Sequence, residues 1–412
     1  MEGSLYFPSF DEEEVLRRKK EEYRAVIRRK NRKKRLIKAR LILAGLVLFV
    51  ALIIALIIYV IIKLLGSLSG TTDQFENISS AFGQIEVLNG SEQEDEEPEP
   101  EPDEPERVTG TYQAFDNGDV AGMSEDVIGT YAILVDADNA KIMAGRDYKT
   151  RINPASMTKV LTLLVAVEHM ERSELSSPFQ LTFDMTNYAY AHDCSVAGFS
   201  ENEIVTVEDL LYGTILPSGG DAAVALATYI SGSQEDFVVL MNEKLKELGL
   251  SETTHFTNCV GLFDEDHYST PYDIAMIMWA AMDNELCREV LTSKKYTTSS
   301  TAEHPEGLEL SNWFLRRIED KDCGLTVLGG KTGFVTESGN CAVSLASDDT
   351  GHEYICVIAG SRSAWRCIYD HVAVYSRFFN PDYVPMTSKE ADDRIEEDKE
   401  EEQEQAESGA EQ

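Results

Sequence analysis

Hydrophobic and polar positions divide the 412-residue chain into blocks of different period. The first forty residues are polar and basic, and the run that follows, LILAGLVLFVALIIALIIYVII at 41–62, carries no charge on any helical face. A run apolar all round and long enough for the roughly 20 residues a bilayer core requires predicts a transmembrane helix over 41–63 rather than a core helix with one apolar stripe. A cleaved secretory signal has a shorter apolar core nearer the terminus, so the span is read as an uncleaved anchor. Segment 64–107 has the opposite character. Its SEQEDEEPEPEPDEPER run mixes like charge with frequent proline and reads as an extended acidic, Pro-rich linker.

Regular periods begin near 108 and end near 387, a stretch consistent with one large domain. Alternation over 131–135, a turn at 136–140 and a return over 141–144 predict a hairpin. Asn153-Pro154-Ala155-Ser156 opens a helix through Lys159 to about 169. Helical spacing recurs over 207–211, 221–230, 235–248 and 271–282. After Gly324 the period returns to two over 325–328, 339–346 and 354–359, with a turn at 348–351. A helix over 365–379 closes the pattern. Strands at both ends with helices between predict a sheet assembled from distant parts of the chain. The tail, 388–412, is acidic and is predicted to be disordered.

Charge sharpens this division. The chain has 37 Lys+Arg against 73 Asp+Glu, a net charge of −36, which excludes a general nucleic-acid binder because phosphate is repelled. The first forty residues are the exception, with fourteen basic and seven acidic side chains. Positive-inside bias therefore places 1–40 in the cytoplasm and everything after Lys63 on the other side of the membrane. Hydrophobic residues make up 43% of the chain, enough for a sizeable core. Seven cysteines are an odd set that cannot all pair. Cys341 and Cys356 fall on predicted strands, and a bridge or two buried thiols both remain open. His192, His255 and His267 are too scattered for a metal centre, so neither metal nor cofactor is expected.

The candidate chemistry lies in three short motifs. Ser156-Met157-Thr158-Lys159 is S-x-x-K, Ser218-Gly219-Gly220 begins as S-x-N but ends on glycine, and Lys331-Thr332-Gly333 is K-T-G. A serine hydroxyl is a poor nucleophile until a base removes its proton. Lys159 lies one helical turn beyond Ser156, on the same face. It acts as a base only while neutral, which burial, the helix N-terminus and a second cation such as Lys331 all favour. Alone, Ser156 reads as a helix cap and Lys159 as a surface lysine; the later K-T-G turns the balance to catalysis.

Around these motifs the chain resembles the low-molecular-weight penicillin-binding proteins, the D-alanyl-D-alanine carboxypeptidases. The resemblance covers about 131–379 and rests on INPASMTKVLT, VTVEDLLYGTILPSGGDAAVALA, FVVLMNEKLKELGL, THFTNCVGLFDEDHYSTPYDIA and GGKTGFVTESGNCAVSLA, in that order. It implies a mixed α/β (α+β) fold with an antiparallel sheet flanked by helices, and a DD-peptidase domain over 108–387. It also implies a serine-type carboxypeptidase acting on peptidoglycan stem peptides and inhibited by β-lactams, on the outer face of a bacterial cell membrane. In that reading Ser156 is the nucleophile, Lys159 the general base and Ser218 the proton relay. Lys331 holds Ser218, and Lys331 and Thr332 meet the substrate carboxylate. Gly333 lets the strand approach, and the N–H groups of Ser156 and Phe334 form the oxyanion hole. Arg362 is a candidate second carboxylate anchor, with Arg366 a competitor for the role. His267 is read as fixing a loop before a helix. Gly220 departs from the family's asparagine and leaves three outcomes open: a neighbour such as Asp221 or a water substitutes, activity or specificity changes, or the domain only binds penicillin or peptide. A β-lactamase is a further alternative, for which no E-x-x-L-N loop stands between Ser218 and Lys331.

Overall fold

The computed structural model describes residues 112–409, so the expected tail at 1–40, span at 41–63 and linker at 64–107 lie outside the described residues. Among the described residues no helix is long and apolar enough to cross a membrane. The predicted hairpin is β1 (Tyr131–Asp136) with β2 (Lys141–Arg146). Next come α1 (Thr158–Glu168), β3 (Pro178–Gln180), α2 (Phe183–Ala191), β4 (Ile204–Thr206), α3 (Val207–Ile215) and α4 (Gly220–Ser231). Then α5 (Gln234–Glu247), α6 (Pro271–Asp283), α7 (Glu285–Thr292), β5 (Lys295–Thr297), β6 (Glu309–Ser311) and α8 (Leu315–Ile318) follow. The chain closes with β7 (Thr326–Val335), β8 (Gly339–Ser347), β9 (Glu353–Ser361), α9 (Ala364–Phe379) and α10 (Ser388–Gly409).

Local chemistry sets several of these boundaries. Thr206 and Asp209 form a reciprocal capping box at the start of α3. Thr270 caps α6, whose first residue is Pro271, where a missing N–H costs nothing. Helix α1 is buried from Thr158 to Val167, so it runs through the middle of the domain and has no solvent-exposed face over that stretch.

The main sheet has the order β2-β1-β9-β8-β7, with every neighbour antiparallel. The period of two on β8 divides the core. Cys341, Val343 and Leu345 join the larger cluster with α1 and α6, while Ala342 and Ala346 join the smaller one with α9. The same parity decides the open disulfide question. Cys356 is the register partner of Ser344, three positions from Cys341, so the two thiols lie on opposite faces. All seven cysteines are free.

Three expectations need correction. Strand β7 runs well past the expected 325–328, and Lys331-Thr332-Gly333 lies inside its ten continuous residues. Its GGKTG core lacks the apolar alternation that makes β8 and β9 readable. Helices α2 and α7 did not stand out in the pattern, being short. The tail expected to be disordered forms α10 over 388–409. Ala391 and Ile395, one turn apart, are buried beneath it. Its carboxylates reach a cationic strip, Glu402 to Arg316 and Arg317, Asp398 to Lys321 and Asp392 to Arg362.

Behind the sheet a buried polar knot ties the lead-in segment to α9. Asp370 accepts from Ile128 N (3.0 Å), Gly129 N (3.0 Å), Ser361 Oγ (2.6 Å) and Arg366 Nε (3.3 Å). Arg366 is 1% exposed and also donates to the carbonyl of Asp126. Removing one partner of such a buried pair leaves the other charge stranded. Asp370→Ala is therefore expected to cost about 3–5 kcal/mol, read as a lower denaturant midpoint with an unchanged slope.

Candidate active site

Ser156 sits half-exposed on the single turn Ala155–Met157 that leads into α1. The turn is anchored from both ends. Asn153 Oδ1 accepts from Ala155 N (2.9 Å), and Asn153 Nδ2 donates to the carbonyl of His267 (3.2 Å). Ala155 adopts φ 47°, a left-handed conformation costly for a residue with a Cβ. Lys159, 1% exposed, donates to Ser156 Oγ (3.1 Å) and to the carbonyl of Val260 (2.8 Å).

The second pair has the same form. Lys331, 2% exposed, donates to Ser218 Oγ (2.8 Å) and to the carbonyl of Thr332 (2.7 Å). Ser218 is also left-handed, at φ 63°, on the turn between α3 and α4. Among the described residues no carboxylate forms an ion pair with either lysine. Burial pulls both ammonium groups down from the ordinary lysine range. The charge of Lys159 lowers Lys331 further, whereas Cys194, Cys259 and Asp221 oppose the shift at Lys159.

β7 is an edge strand, and it brings K-T-G against the nucleophile. A Cβ on Gly333 would stand 2.9 Å from Ser156 N and 2.9 Å from Cys341 Sγ, so only glycine admits this approach. Thr332 is half-buried, and Phe334 is 61% exposed beside the turn of Ser156.

Several residues essential to this geometry carried no assigned role in the sequence. Asn258 Oδ1 accepts from the N–H groups of Val260 (3.2 Å), Gly261 (2.8 Å) and Leu262 (2.9 Å). That turn aims the carbonyl of Val260 at Lys159. A Cβ on Gly261 would lie 1.8 Å from the carbonyl oxygen of Ala155, and its φ is 87°. The Asn-x-x-Gly spacing within TNCVG was the available signal. His267 accepts at Nδ1 from Thr257 N (3.1 Å), which puts its proton on Nε2, facing Thr158 Oγ1 at 2.9 Å. It joins the loop to α1, in line with the structural role read for it.

Arg362, after β9, is half-exposed and paired with Asp392 of α10. Its competitor Arg366 is locked in the Asp370 knot. Asp221 does not substitute for the missing amide at Gly220. Its carboxylate accepts from Ala197 N (2.8 Å) and Gly198 N (3.2 Å), holding a loop.

Two hydroxyl–ammonium pairs beside an edge strand are therefore assembled by S-x-x-K, S-x-G and K-T-G. A family model described as D-alanyl-D-alanine carboxypeptidase matches residues 120–363. The chain belongs to the D-alanyl-D-alanine carboxypeptidase family. It is 33% identical over 216 residues to D-alanyl-D-alanine carboxypeptidase DacF of Bacillus subtilis, covering 52% of this chain and 53% of that protein. It is 30% identical over 236 residues to DacC of Escherichia coli, covering 56% of each. The chain spans about half the length of these curated relatives. Among solved structures, the Streptomyces K15 DD-transpeptidase aligns with a TM-score of 0.54 and 27% identity, over 61% of this chain and 98% of that one. Penicillin binding protein 5 from Haemophilus influenzae aligns at 0.53 and 26%, over 60% and 69%.

Burial holds the pKa of His267 down at about 3 from 6.5. The folded state therefore binds fewer protons than the unfolded chain once the pH falls below about 6.5, and this histidine's contribution to stability falls with it down to about pH 3. The loss approaches about 1.4 kcal/mol per pH unit well below 6.5. Urea titrations from pH 7 to 4 are expected to show a slope smaller by nearly one proton in His267→Gln than in the wild type.

Proposed function

We propose that the domain is a serine-type D-alanyl-D-alanine carboxypeptidase that removes the terminal D-alanine from peptidoglycan stem peptides. The observation that carries this reading is the paired geometry of Ser156 with Lys159 and Ser218 with Lys331 along the K-T-G strand. Neutral Lys159 takes the proton of Ser156 as Oγ attacks the carbonyl of the penultimate D-alanine. The N–H groups of Ser156 and Phe334 meet the developing oxyanion. Ser218, held by Lys331, gives its proton to the departing amine as the C–N bond breaks and takes one back from Lys159, which leaves Lys159 neutral in the acyl-enzyme. Thr332 and Lys331 receive the terminal carboxylate. Water then attacks the acyl ester, Lys159 takes its proton, and Ser156 regains its hydroxyl as the shortened peptide leaves.

β-Lactams, which acylate Ser156 when its Oγ attacks and opens their ring amide, are the expected inhibitors. The apolar run at 41–63 tethers the domain, with residues 1–40 cytoplasmic and the active site on the outer face of a bacterial membrane. Gly220 favours one second reading, a membrane-tethered penicillin- or peptide-binding sensor that acylates without turning over.

The deciding assay incubates the protein with a diacyl tripeptide ending in D-Ala-D-Ala and measures free D-alanine. Release is expected from the wild type, with Ser156→Ala and Lys159→Met slower by about 1,000-fold or more. The rate is expected to rise with pH through the lowered pKa of Lys159 and then level off. No release together with a stable penicilloyl adduct in intact-mass spectra would establish the sensor. Rapid hydrolysis of bound penicillin would establish a β-lactamase.

A further inference from the structure

The glycine that ends the second motif is not beside empty space. A Cβ built on Gly220 would lie 3.0 Å from Cys194 Cβ, 3.4 Å from Ala189 Cβ and 3.5 Å from Cys194 Sγ. A side chain at 220 would press on the side chain of Cys194, from another segment. That segment is fastened at several points. Gly220 N donates to Ser195 O (2.8 Å), Cys194 N donates to Ala189 O (2.9 Å), and Asp221 holds Ala197 and Gly198. Asp193, just before the cysteine, is left-handed at φ 55° and turns the chain toward α4. Of the seven cysteines, six are buried and Cys194 alone is partly exposed.

We infer that Cys194 is a positioning residue, occupying from the loop after α2 the place that a side chain at 220 would otherwise fill. The thiol and Lys159 also act on each other electrostatically. The ammonium charge counters the rise that burial imposes on the thiol, and Cys194 is the first of the polar groups opposing the shift of Lys159. Burial is the larger effect on the thiol and keeps it protonated, so Cys194 presents a small, weakly hydrogen-bonding wall where asparagine would present an amide. Cys194 packs freely against glycine at 220, whereas a Cβ there would force one of the two residues to shift, so the two positions are coupled.

The catalytic part of this inference rests on the carboxypeptidase reading; the packing part does not. A double-mutant cycle separates them, using Gly220→Asn, Cys194→Gly and the pair, with Cys194→Ser as the conservative variant. Two readouts need no activity. Melting temperatures are expected to fall in each single variant and to recover in the pair, a coupling that additive effects would contradict. Maleimide is expected to label the native protein at Cys194, and Lys159→Met is expected to slow that labelling at pH 8 about threefold or more, because the thiolate loses a cation that stabilises it. An unchanged labelling rate overturns that coupling. The third readout is the acylation rate by a fluorescent penicillin across pH. Gly220→Asn is expected to lose about tenfold or more, Cys194→Ser to stay within about threefold of the wild type, and the pair to recover most of the loss. Cys194→Gly is expected to shift the pH midpoint of acylation, which simple loss of packing would not move. A wild type that never acylates refutes the carboxypeptidase reading, and the first two readouts then decide the inference unaided.

Discussion

The site depends on burying two ammonium groups together without a carboxylate between them. An isolated charge leaves water only at a cost of several kcal/mol, and a like charge nearby adds to it. Lys159 and Lys331 meet this cost with oxygen atoms: one hydroxyl and one backbone carbonyl each. The remaining strain is relieved by losing a proton, and burial lowers both groups accordingly. A lysine that is unstable as a cation is a lysine able to take a proton from serine. The structural difficulty and the chemical requirement are the same fact.

The rest of the domain holds those oxygen atoms in place. Val260 points its carbonyl at Lys159 because Asn258 ties three successive N–H groups into a turn. Thr332 can do so for Lys331 because β7 is an edge strand whose free side faces the turn of Ser156. Helix α1 keeps Ser156 and Lys159 one turn apart, and its burial on all sides prevents it from shifting to solvate the lysine. The left-handed residues Ala155 and Ser218 stand at the two serines, strain that only a rigid surrounding can sustain.

Legibility in the sequence followed the physics of each feature. The S-x-x-K spacing is a helical repeat, so Ser156 and Lys159 could be placed on one face before any coordinates. Lys331 and Ser218 were recognisable by motif, but their 2.8 Å contact joins residues 113 positions apart, and no local period encodes it. Hairpin β1–β2 and strands β8 and β9 alternate clearly; β7 does not, because glycines that admit close approach also erase the pattern. For Cys341 and Cys356 the sequence left a bridge and two buried thiols open, and only register, which puts them on opposite faces, decides for thiols. The acidic tail read as disorder because composition counts charges but not their partners. Its helix is held by arginines and a lysine more than thirty residues away, save for Arg362, thirty residues before Asp392. Gly220 was visible as a departure, whereas its neighbour Cys194 became visible only through space.

That helix also changes how the net charge of −36 bears on the site. An acidic chain needs local positive charge to receive a carboxylate, and Lys159, Lys331 and Arg362 were the expected sources. Arg362 is half-exposed and already faces Asp392, so solvent and its own partner screen it. The two lysines lie in a medium of lower effective dielectric, where the same charge acts more strongly over the same distance. In the proposed reaction only one of them needs to be charged at a time, and in the free domain Lys331 is the more depressed of the two because the Lys159 charge adds to its burial. A carboxylate arriving beside Lys331 would raise that lysine's pKa and fix the division of labour. The acidic surface does not work against this arrangement. It leaves the buried lysine pair as the place where an anionic peptide end gains most by leaving water.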